Sequence, residues 1–432
     1  MGEGLDSNRL ECHFEDAKPP YTPAEALIEA NRCLHCFDAP CVRGCPTAID
    51  IPKFIAQISS GNVRGAAKTI FRQNMLGASC ARVCPVEEMC AGACVYHALN
   101  SQPIAIGRLQ RYATDVALAD ERASGRRLFS PASANGRRVA LVGAGPASLA
   151  CGAHLALAGV SASIYERDGL PGGLNTTAVA PYKMRTESSL VEVEWLVDHG
   201  IELKAGTAVG KDIALPELLA SHDAVFIGVG LGPARTLGIE GPGIWGATAL
   251  IRAIKNEPGF QLPANVHRAL VVGGGNTAID IARELAMLGV AEVTLAYRRD
   301  RADMSAYAHE WAGARQCGVG LRTQLRPRRA VHRGQRLVGA VFDDVVSGRE
   351  VELPCELLVV AAGQMPWATL VDAGIHLNTD GTVWTQPETR ATSLAGVYAG
   401  GDCVNGGKEV VDAAADGRIA AHAMLTEWGA RG

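Results

Sequence analysis

The sequence predicts an α-helical, cysteine-rich domain followed by an α/β core of two dinucleotide-binding domains. Three observations support this fold class. Nine of the 13 cysteines lie between Cys12 and Cys94, among short helical patterns. An apolar strand from Arg138 runs into a glycine turn and a helix, and the same pattern recurs from Ala269. Two such units indicate two sites that each hold a pyrophosphate over a helix N-terminus.

The overall composition is that of an ordinary globular protein. The chain has 432 residues, 48% of them hydrophobic, and a net charge of −4, so no electrostatic footprint for nucleic acid is present. The first residues lack the basic start and apolar centre of a secretory signal. The apolar stretch 139–160 is interrupted by a glycine turn, which favours a strand–turn–helix unit over a membrane span. We therefore expect a cytoplasmic protein that binds neither nucleic acid nor membrane.

Changes in composition and in the hydrophobic pattern divide the chain into three regions. Helical patterns at 22–32, 52–60 and 63–73 mark the first region, and the polar stretch 119–135 is typical of a linker. Late strand–turn units should return the chain to the first nucleotide domain, which leaves the second inserted within it. The predicted boundaries are 1–130 for the helical domain, 136–250 and 363–432 for the first nucleotide domain, and 251–362 for the second.

Two runs of cysteines have the spacing of metal ligands. They are Cys33, Cys36, Cys41 and Cys45, with a proline after the last, and Cys80, Cys84, Cys90 and Cys94, with a proline after Cys84. Disulfides are rare in chains without an export signal, so clustered cysteines more often bind metal. Soft, anionic thiolates suit both iron–sulfur clusters and structural zinc. The prolines and the nucleotide sites favour clusters, with zinc as the alternative.

The stretch from Cys33 to Val116 closely resembles the N-terminal domain of dihydropyrimidine dehydrogenase and of its bacterial small subunit, the PreT family. The likeness extends to three further motifs, Gly65-Ala-Ala-Lys-Thr-Ile-Phe71, Asn74-Met-Leu-Gly77 and Pro103-Ile-Ala-Ile-Gly107-Arg-Leu-Gln110. The resemblance implies two 4Fe-4S clusters. One would take Cys33, Cys36, Cys41 and Cys94, and the other Cys45, Cys84, Cys90 and the side-chain oxygen of Gln110. Cys12 and Cys80 then remain as ordinary thiols.

Gln110 also separates related families. Glutamate synthase small subunits and related ferredoxin:NADP oxidoreductase subunits, which belong to the same flavoprotein superfamily, usually carry a carboxylate at this position. Spacing alone would not single out this residue, because an isolated glutamine on a helix is nearly always a surface or capping residue. The resemblance therefore favours the dihydropyrimidine dehydrogenase branch.

The first glycine turn predicts a site for FAD. Gly143 and Gly145 let the backbone approach a pyrophosphate, and Glu166 at the next strand end can bind ribose hydroxyls. Ser148 replaces the family's third glycine, and we expect slightly altered packing rather than a lost site. Four further residues match the family's FAD contacts: Gly173, Leu174, Gly401 and Asp402. The predicted fold is thus an α-helical iron–sulfur domain followed by an α/β two-dinucleotide-binding flavoprotein reductase.

The second glycine turn predicts a nicotinamide nucleotide site formed by Gly273, Gly275, Asn276 and Ala278. The strand that follows ends in Arg298 and Arg299 instead of an acid. A guanidinium there can pair with a 2′-phosphate, which a carboxylate would repel. We therefore expect NADPH, although PreT-like proteins commonly use NADH. A solvated basic strand end is the alternative interpretation.

The resemblance implies a function in electron transfer. NAD(P)H would reduce FAD, and the clusters would pass electrons to an FMN-containing, PreA-like catalytic subunit in a heterotetramer. That partner would reduce the 5,6 double bond of uracil or thymine. One alternative is the electron-input subunit of glutamate synthase or of a ferredoxin:NADP oxidoreductase. Another is a non-catalytic, cluster-bearing redox sensor.

Overall fold

The computed structural model describes residues 5–367 and 374–429. The helical domain contains α1 (Pro23–Ala30), α2 (Pro40–Arg43), α3 (Ile51–Ser59), α4 (Val63–Gln73), α5 (Gly77–Val83) and α6 (Ile106–Ser124). Local signals fix several of its helix ends. Thr22 and Glu25 form a capping box at the start of α1, and the side chain of Asp50 caps α3. Within the described ranges, no helix has the length and apolar character needed to cross a membrane.

The polar composition of residues 119–135 predicted a linker, but helix α6 continues into this stretch. The helix ends only at Gly125, whose left-handed backbone (φ 69°) suits glycine. Its last turns are tied to the domain because Arg64 pairs with Asp120 (3.0 Å). The carboxylate of Glu121 also accepts a hydrogen bond from the Leu128 amide (2.7 Å). Tertiary contacts thus extend the helix beyond the point that composition indicated.

The α/β core consists of strands joined mainly by helices. The strands are β1 (Arg138–Val142), β2 (Ser161–Glu166), β3 (Ile201–Ala205), β4 (Ala224–Ile227), β5 (Ile244–Gly246), β6 (Arg268–Val272), β7 (Glu292–Ala296), β8 (Gly320–Arg322), β9 (Leu325–Arg333), β10 (Arg336–Asp344), β11 (Glu350–Pro354), β12 (Leu357–Val360) and β13 (Val397–Ala399). The helices are α7 (Pro146–Leu157), α8 (Leu174–Thr177), α9 (Thr186–Val197), α10 (Leu215–Ser221), α11 (Ala247–Asn256), α12 (Asn276–Met287), α13 (Ala308–Gln316), α14 (Asp402–Asn405) and α15 (Val410–Glu427).

Two parallel sheets carry the two glycine turns. The first has the order β13-β4-β1-β2-β3 and the second the order β5-β12-β6-β7-β8, while β9, β10 and β11 form a separate antiparallel sheet. The late strand β13 pairs with β4, so the end of the chain joins the first sheet. Strand β5 pairs with β12 in the second sheet, although it lies in the range assigned to the first nucleotide domain.

The helical domain and the first sheet share one hydrophobic core. Phe71 of α4 and Trp195 of α9 lie with ring centroids 4.5 Å apart, and Met75 and Met424 are buried in the same cluster. Because aromatic and long apolar side chains contribute most to burial, this core fixes the cysteine-bearing helices against the first nucleotide domain.

The N-terminal segment ties three parts of the chain together. Arg9, whose side chain is almost fully buried, pairs with Glu11 (2.7 Å) and donates to the Lys255 carbonyl of α11 (2.6 Å). Glu11 in turn accepts a hydrogen bond from the Thr186 amide at the start of α9 (2.8 Å). Because these charges are buried, each depends on its partner. The segment therefore acts as a strap across the junction of the two nucleotide domains.

Candidate functional site

Three glycine-bearing segments meet at the N-terminus of α7. Gly143 has φ 89°, and a Cβ there would lie 2.8 Å from the Gly228 carbonyl oxygen. A Cβ on Gly173 would lie 2.9 Å from the Cα of Gly145, and one on Gly401 would lie 3.1 Å from the Cβ of Ala147. Only glycine fits such close approaches. The structure thus brings the fingerprint turn together with two segments distant in sequence.

The remaining residues of the predicted FAD site lie around this helix end. The carboxylate of Glu166 accepts a hydrogen bond from the Ala144 amide (2.6 Å) at the strand end beside the turn. Leu174 begins α8 and Asp402 begins α14, and burial raises the pKa of the Asp402 carboxyl. Ser148 is fully buried, and its hydroxyl donates to the Val142 carbonyl (3.4 Å). The serine is therefore accommodated within the helix–strand contact.

The second glycine turn is built in the same way at the N-terminus of α12. A Cβ on Gly273 would lie 2.5 Å from the Ala361 carbonyl oxygen and 3.1 Å from the Cβ of Ala278. Gly275 is the N-cap of α12, and Asn276 is its first residue. A helix start behind a glycine turn offers backbone N–H groups to a phosphate. The geometry suits a second dinucleotide.

Two arginines follow strand β7 at the edge of this second site. The side chains of Arg298 and Arg299 are exposed, and the guanidinium of Arg299 lies 5.6 Å from the centroid of the Tyr297 ring. Neither forms an ion pair with any residue between 5 and 367 or between 374 and 429. Both cations are therefore available to a phosphate group.

One group of four cysteines lines a single cavity in the helical domain. The group consists of Cys33, Cys36, Cys41 and Cys94. Burial and the neighbouring thiols raise the pKa of Cys33, and they raise that of Cys41 to about 11. Among the described residues, no three or more His, Cys, Asp or Glu side chains converge as they would around one ion. The four cysteines instead line one space, and positive charge within it would favour their thiolate forms.

A second group of cysteines lies beside the first. Cys84 lies among Cys45, Cys80 and Cys90, and a hydrogen bond with Cys80, together with burial, raises the pKa of its thiol well above the usual range. Burial and the neighbouring Cys45 raise the pKa of Cys90 to about 12. Cys80, which was predicted to be an ordinary thiol outside the cluster sites, thus lies within this group.

Gln110 contacts the helix that leads to this group. Its side chain is buried on α6, and Nε2 donates to the Gly77 carbonyl at the start of α5 (2.7 Å). This bond fixes the amide orientation, which leaves Oε1 as the free acceptor of the side chain. Because α5 leads from Gly77 to Cys84 at its C-cap, the glutamine is joined to the segment that carries the second cysteine group.

One residue that sequence reasoning missed holds this segment from the other side. Glu192 of α9 is buried, and its carboxylate accepts hydrogen bonds from the amides of Ala78 (2.7 Å) and Ser79 (3.0 Å) and from the Ser79 hydroxyl. These groups are the free donors at the start of α5. Burial raises the pKa of Glu192 to about 7. Nothing in the local sequence marks this contact, because more than 100 residues separate its partners.

Comparisons with family models divide the chain in two. Residues 10–122 match the model described as dihydropyrimidine dehydrogenase domain II, 4Fe-4S cluster. Residues 137–417 match the model described as pyridine nucleotide-disulphide oxidoreductase. The second match alone covers more than half of the chain. Together they correspond to the cysteine-bearing helical domain and to the two glycine turns.

Similar proteins cover nearly the whole chain. The NAD-dependent dihydropyrimidine dehydrogenase subunit PreT of Escherichia coli O157:H7 is 34% identical over 95% of this chain and 96% of its own. The glutamate synthase [NADPH] small chain of Escherichia coli K12 is 31% identical over 95% of this chain and 93% of its own.

Solved structures share the fold of the α/β core. Thioredoxin reductase of T. acidophilum is 20% identical, with a TM-score of 0.54, and the match covers 68% of this chain and 99% of that one. Mycobacterium tuberculosis FprA in complex with NADPH is 20% identical, with a TM-score of 0.56, over 68% of this chain and 85% of that one.

These findings confirm the predicted fold class, an α-helical iron–sulfur domain followed by a two-dinucleotide-binding flavoprotein reductase. They also show that the chain is an oxidoreductase, because its relatives are oxidoreductases over their full length. The iron–sulfur model spans both cysteine groups, and the reductase model spans both glycine turns. The chain belongs to the family of NAD(P)H-dependent flavin and iron–sulfur electron-transfer oxidoreductases that includes the PreT subunit of dihydropyrimidine dehydrogenase.

Proposed function

We propose that the chain is the electron-input subunit of a pyrimidine-reducing complex. When bound, NAD(P)H supplies a hydride, FAD accepts it, and two 4Fe-4S clusters carry single electrons onward. The acceptor is an FMN-containing, PreA-like subunit that reduces uracil or thymine, in a heterotetramer. The observation that carries the proposal is the packing of Cys45, Cys80 and Cys84 against the core that the helical domain shares with the first nucleotide domain. The first group adjoins the core of the helical domain itself, which Cys45 also contacts.

The chain's own residues divide this work. Gly143 and Gly145 form the turn at the start of α7, over which the FAD pyrophosphate would lie, and Gly401 packs against Ala147 of the same helix. Glu166 ends the next strand, where ribose hydroxyls would bind. The first cluster is held by Cys33, Cys36, Cys41 and Cys94, and the second by Cys45, Cys84, Cys90 and Oε1 of Gln110. Ser148, Gly173, Leu174 and Asp402 complete the FAD site, and Gly273, Gly275, Asn276 and Ala278 form the nicotinamide nucleotide site.

The second cysteine group is the nearer of the two to the flavin domain. Burial lowers the pKa of the Arg418 guanidinium on α15, and the nearby Cys45 acts in the opposite direction. Cys45 therefore lies close to this helix of the flavin domain. The first group lies at the protein surface, where Leu34 and Phe37, which flank Cys36, are exposed. This placement supports an order in which the second cluster, when bound, would receive electrons from FAD and the first would pass them to the partner.

The test compares two electron acceptors for the native holoprotein. Purified protein carrying iron and flavin is reconstituted with a PreA-like subunit and assayed with uracil, or with a glutamate synthase large subunit, glutamine and 2-oxoglutarate. We expect NAD(P)H-dependent reduction of uracil only. Glutamate formation without uracil reduction would instead assign the chain to the glutamate synthase branch. That branch is the alternative because a glutamate synthase small chain is 31% identical to this chain.

We propose further that NADPH is the preferred donor because Arg298 and Arg299 bind its 2′-phosphate. A charge-assisted hydrogen bond contributes about 1.5–3 kcal/mol, roughly a 10- to 100-fold change in affinity. Arg298→Gln with Arg299→Gln should raise KM for NADPH by at least about 10-fold and leave KM for NADH nearly unchanged. Arg333→Gln, on the exposed end of β9, is the matched control. Equal changes for both nucleotides would contradict the assignment.

A further inference from the structure

A short segment of the second nucleotide domain, Ser305–Glu310, lies against the start of α12. We call it the junction segment. The amide of Ala306 donates to the Gly274 carbonyl (3.0 Å) in the glycine turn. The amide of Tyr307 donates to Oδ1 of Asn276, the first residue of α12 (3.0 Å). The backbone of the segment is therefore fixed to the site that holds the nicotinamide nucleotide.

The side chain of Tyr307 crosses to the first nucleotide domain. Its hydroxyl donates to Oε1 of Glu409 (2.9 Å). Glu409 is the N-cap of α15, the helix that packs along α7 beneath the FAD turn. One residue thus contacts the start of the nicotinamide nucleotide helix with its backbone and the start of a flavin-domain helix with its side chain.

The same segment also reaches the helical domain. The ring of His309 stacks on that of Tyr307 with centroids 5.7 Å apart. Its nitrogens lie 3.7 Å from a carboxylate oxygen of Glu87 and 3.5 Å from one of Glu88, in the loop between Cys84 and Cys90. The junction segment therefore forms hydrogen bonds with both nucleotide domains and also approaches the helical domain.

The bond between Tyr307 and Glu409 is suited to fixing a distance. Both residues are half-buried. Burial and the bond to Glu409 raise the pKa of the Tyr307 phenol to about 12, so at neutral pH the hydroxyl remains a donor. A phenol that donates to a carboxylate forms a charge-assisted bond, which is shorter and stronger than a neutral one.

We infer that Tyr307 is a positioning residue for hydride transfer, because its bond to Glu409 sets the separation between the two nucleotide sites. The inference rests on the proposed reduction of FAD by NAD(P)H. In that step a C–H bond of the reduced nicotinamide breaks and its electron pair forms an N–H bond on the flavin. The nicotinamide is oxidised and the flavin, which takes up one further proton, is reduced. Such a step is sensitive to geometry, and a misplacement of about 1 Å can slow it roughly 100-fold.

The test removes one oxygen atom. Tyr307→Phe should lower the rate of flavin reduction at saturating NAD(P)H by at least about 10-fold, with the dissociation constant of the nucleotide within about twofold. A second readout is independent of turnover. The charge-transfer absorption that forms when NAD(P)⁺ is added to the chemically reduced protein reports stacking of nicotinamide on flavin, and it should weaken.

A matched control contacts the other end of the same helix. The hydroxyl of Tyr398, on β13, donates to Glu427 (2.6 Å), the last residue of α15. Tyr398→Phe therefore removes the same kind of bond and should leave the reduction rate and the charge-transfer band unchanged. Glu409→Ala should reproduce the effect of Tyr307→Phe, and the double variant should be no slower than either single one.

Three results would overturn the inference. They are an unchanged rate and band in Tyr307→Phe, a weaker nucleotide affinity at an unchanged rate, or equal losses in Tyr307→Phe and Tyr398→Phe. If Tyr307→Phe loses its flavin, Glu409→Ala decides by the same criteria, and loss of flavin from both variants would mean a structural role. Failure of wild-type protein to be reduced by either nucleotide would refute the proposed function itself, so the two failures are distinguishable.

Discussion

Replacing Glu192 by glutamine tests how the flavin domain holds the helix that leads to the second cysteine group. Glu192 is fully buried and accepts hydrogen bonds from the Ala78 and Ser79 amides. Burial raises the pKa of its carboxyl from 4.5 to about 7, despite these bonds. Between these two values the folded protein binds a proton that the unfolded chain does not. The stability contributed by Glu192 is therefore present below about pH 4.5 and is lost as pH rises towards 7.

The magnitude follows from the size of this shift. One pKa unit corresponds to about 1.4 kcal/mol, so the rise to about 7 amounts to roughly 3 kcal/mol across the window. Glutamine at this position cannot ionise, so the variant lacks this pH dependence. Between about pH 5 and about pH 8, the free energy of unfolding of wild type should fall by about 3 kcal/mol relative to that of Glu192→Gln. In thermal unfolding of a chain of this length this corresponds to a relative shift of about 3 °C.

The assay is thermal unfolding of the holoprotein at both pH values, followed by release of flavin fluorescence at one scan rate. Glu194→Gln is the matched control, because Glu194 lies on the same helix but is half-exposed and pairs with Arg122 (3.1 Å). The control should show the pH dependence of wild type. A difference in Tm between wild type and Glu192→Gln that is the same at both pH values would refute the reasoning.

Three further predictions concern the FAD site, the second cluster and the strap. Gln110→Leu removes both the bond to the Gly77 carbonyl and the free amide oxygen, so it should change one cluster signal in electron paramagnetic resonance; unchanged spectra and iron content would argue against a ligand role. Gly401→Ala places a Cβ 3.1 Å from that of Ala147 at φ 75°, so the purified protein should contain less FAD, as absorbance would show; full occupancy would contradict the close-approach argument. Arg9→Gln removes the guanidinium from buried Glu11 and from the Lys255 carbonyl, and leaves Lys255 Nζ, 3.8 Å from Glu11, as the remaining cation there, so it should lower Tm; an unchanged Tm would mean that the strap is dispensable.

The fold class could be predicted from the sequence because its signals are local. Each glycine turn lies between a strand and a helix that start within a few residues of it, and the cysteine runs show their spacing directly. Helix ends were predicted less well where tertiary contacts decide. Helix α6 runs to Ser124 because Asp120 and Glu121 bind neighbouring segments, whereas the polar composition of the same residues predicted a linker.

The cross-domain contacts of the site could not be predicted. Tyr307 and Glu409, like Glu192 and Ser79, are about 100 residues apart, and no periodicity links such partners. Cys80 is a different case. It lies four residues before Cys84, on a helix, and residues with that spacing are neighbours on a helix surface. That signal was present in the sequence, and it indicates the thiol contact that the structure shows.

The central claim is that NAD(P)H, FAD and two iron–sulfur clusters form one electron-transfer chain within this protein. The most direct test is an anaerobic titration of the holoprotein with NADPH, with flavin absorbance and electron paramagnetic resonance recorded on the same samples. We predict that the flavin is reduced and that a signal from reduced 4Fe-4S clusters appears. The same samples should contain about eight iron atoms per chain, four for each of two clusters. An iron content of about four atoms per chain would contradict this claim. It would also be contradicted if the clusters stayed oxidised after the flavin was fully reduced and after a low-potential reductant was added.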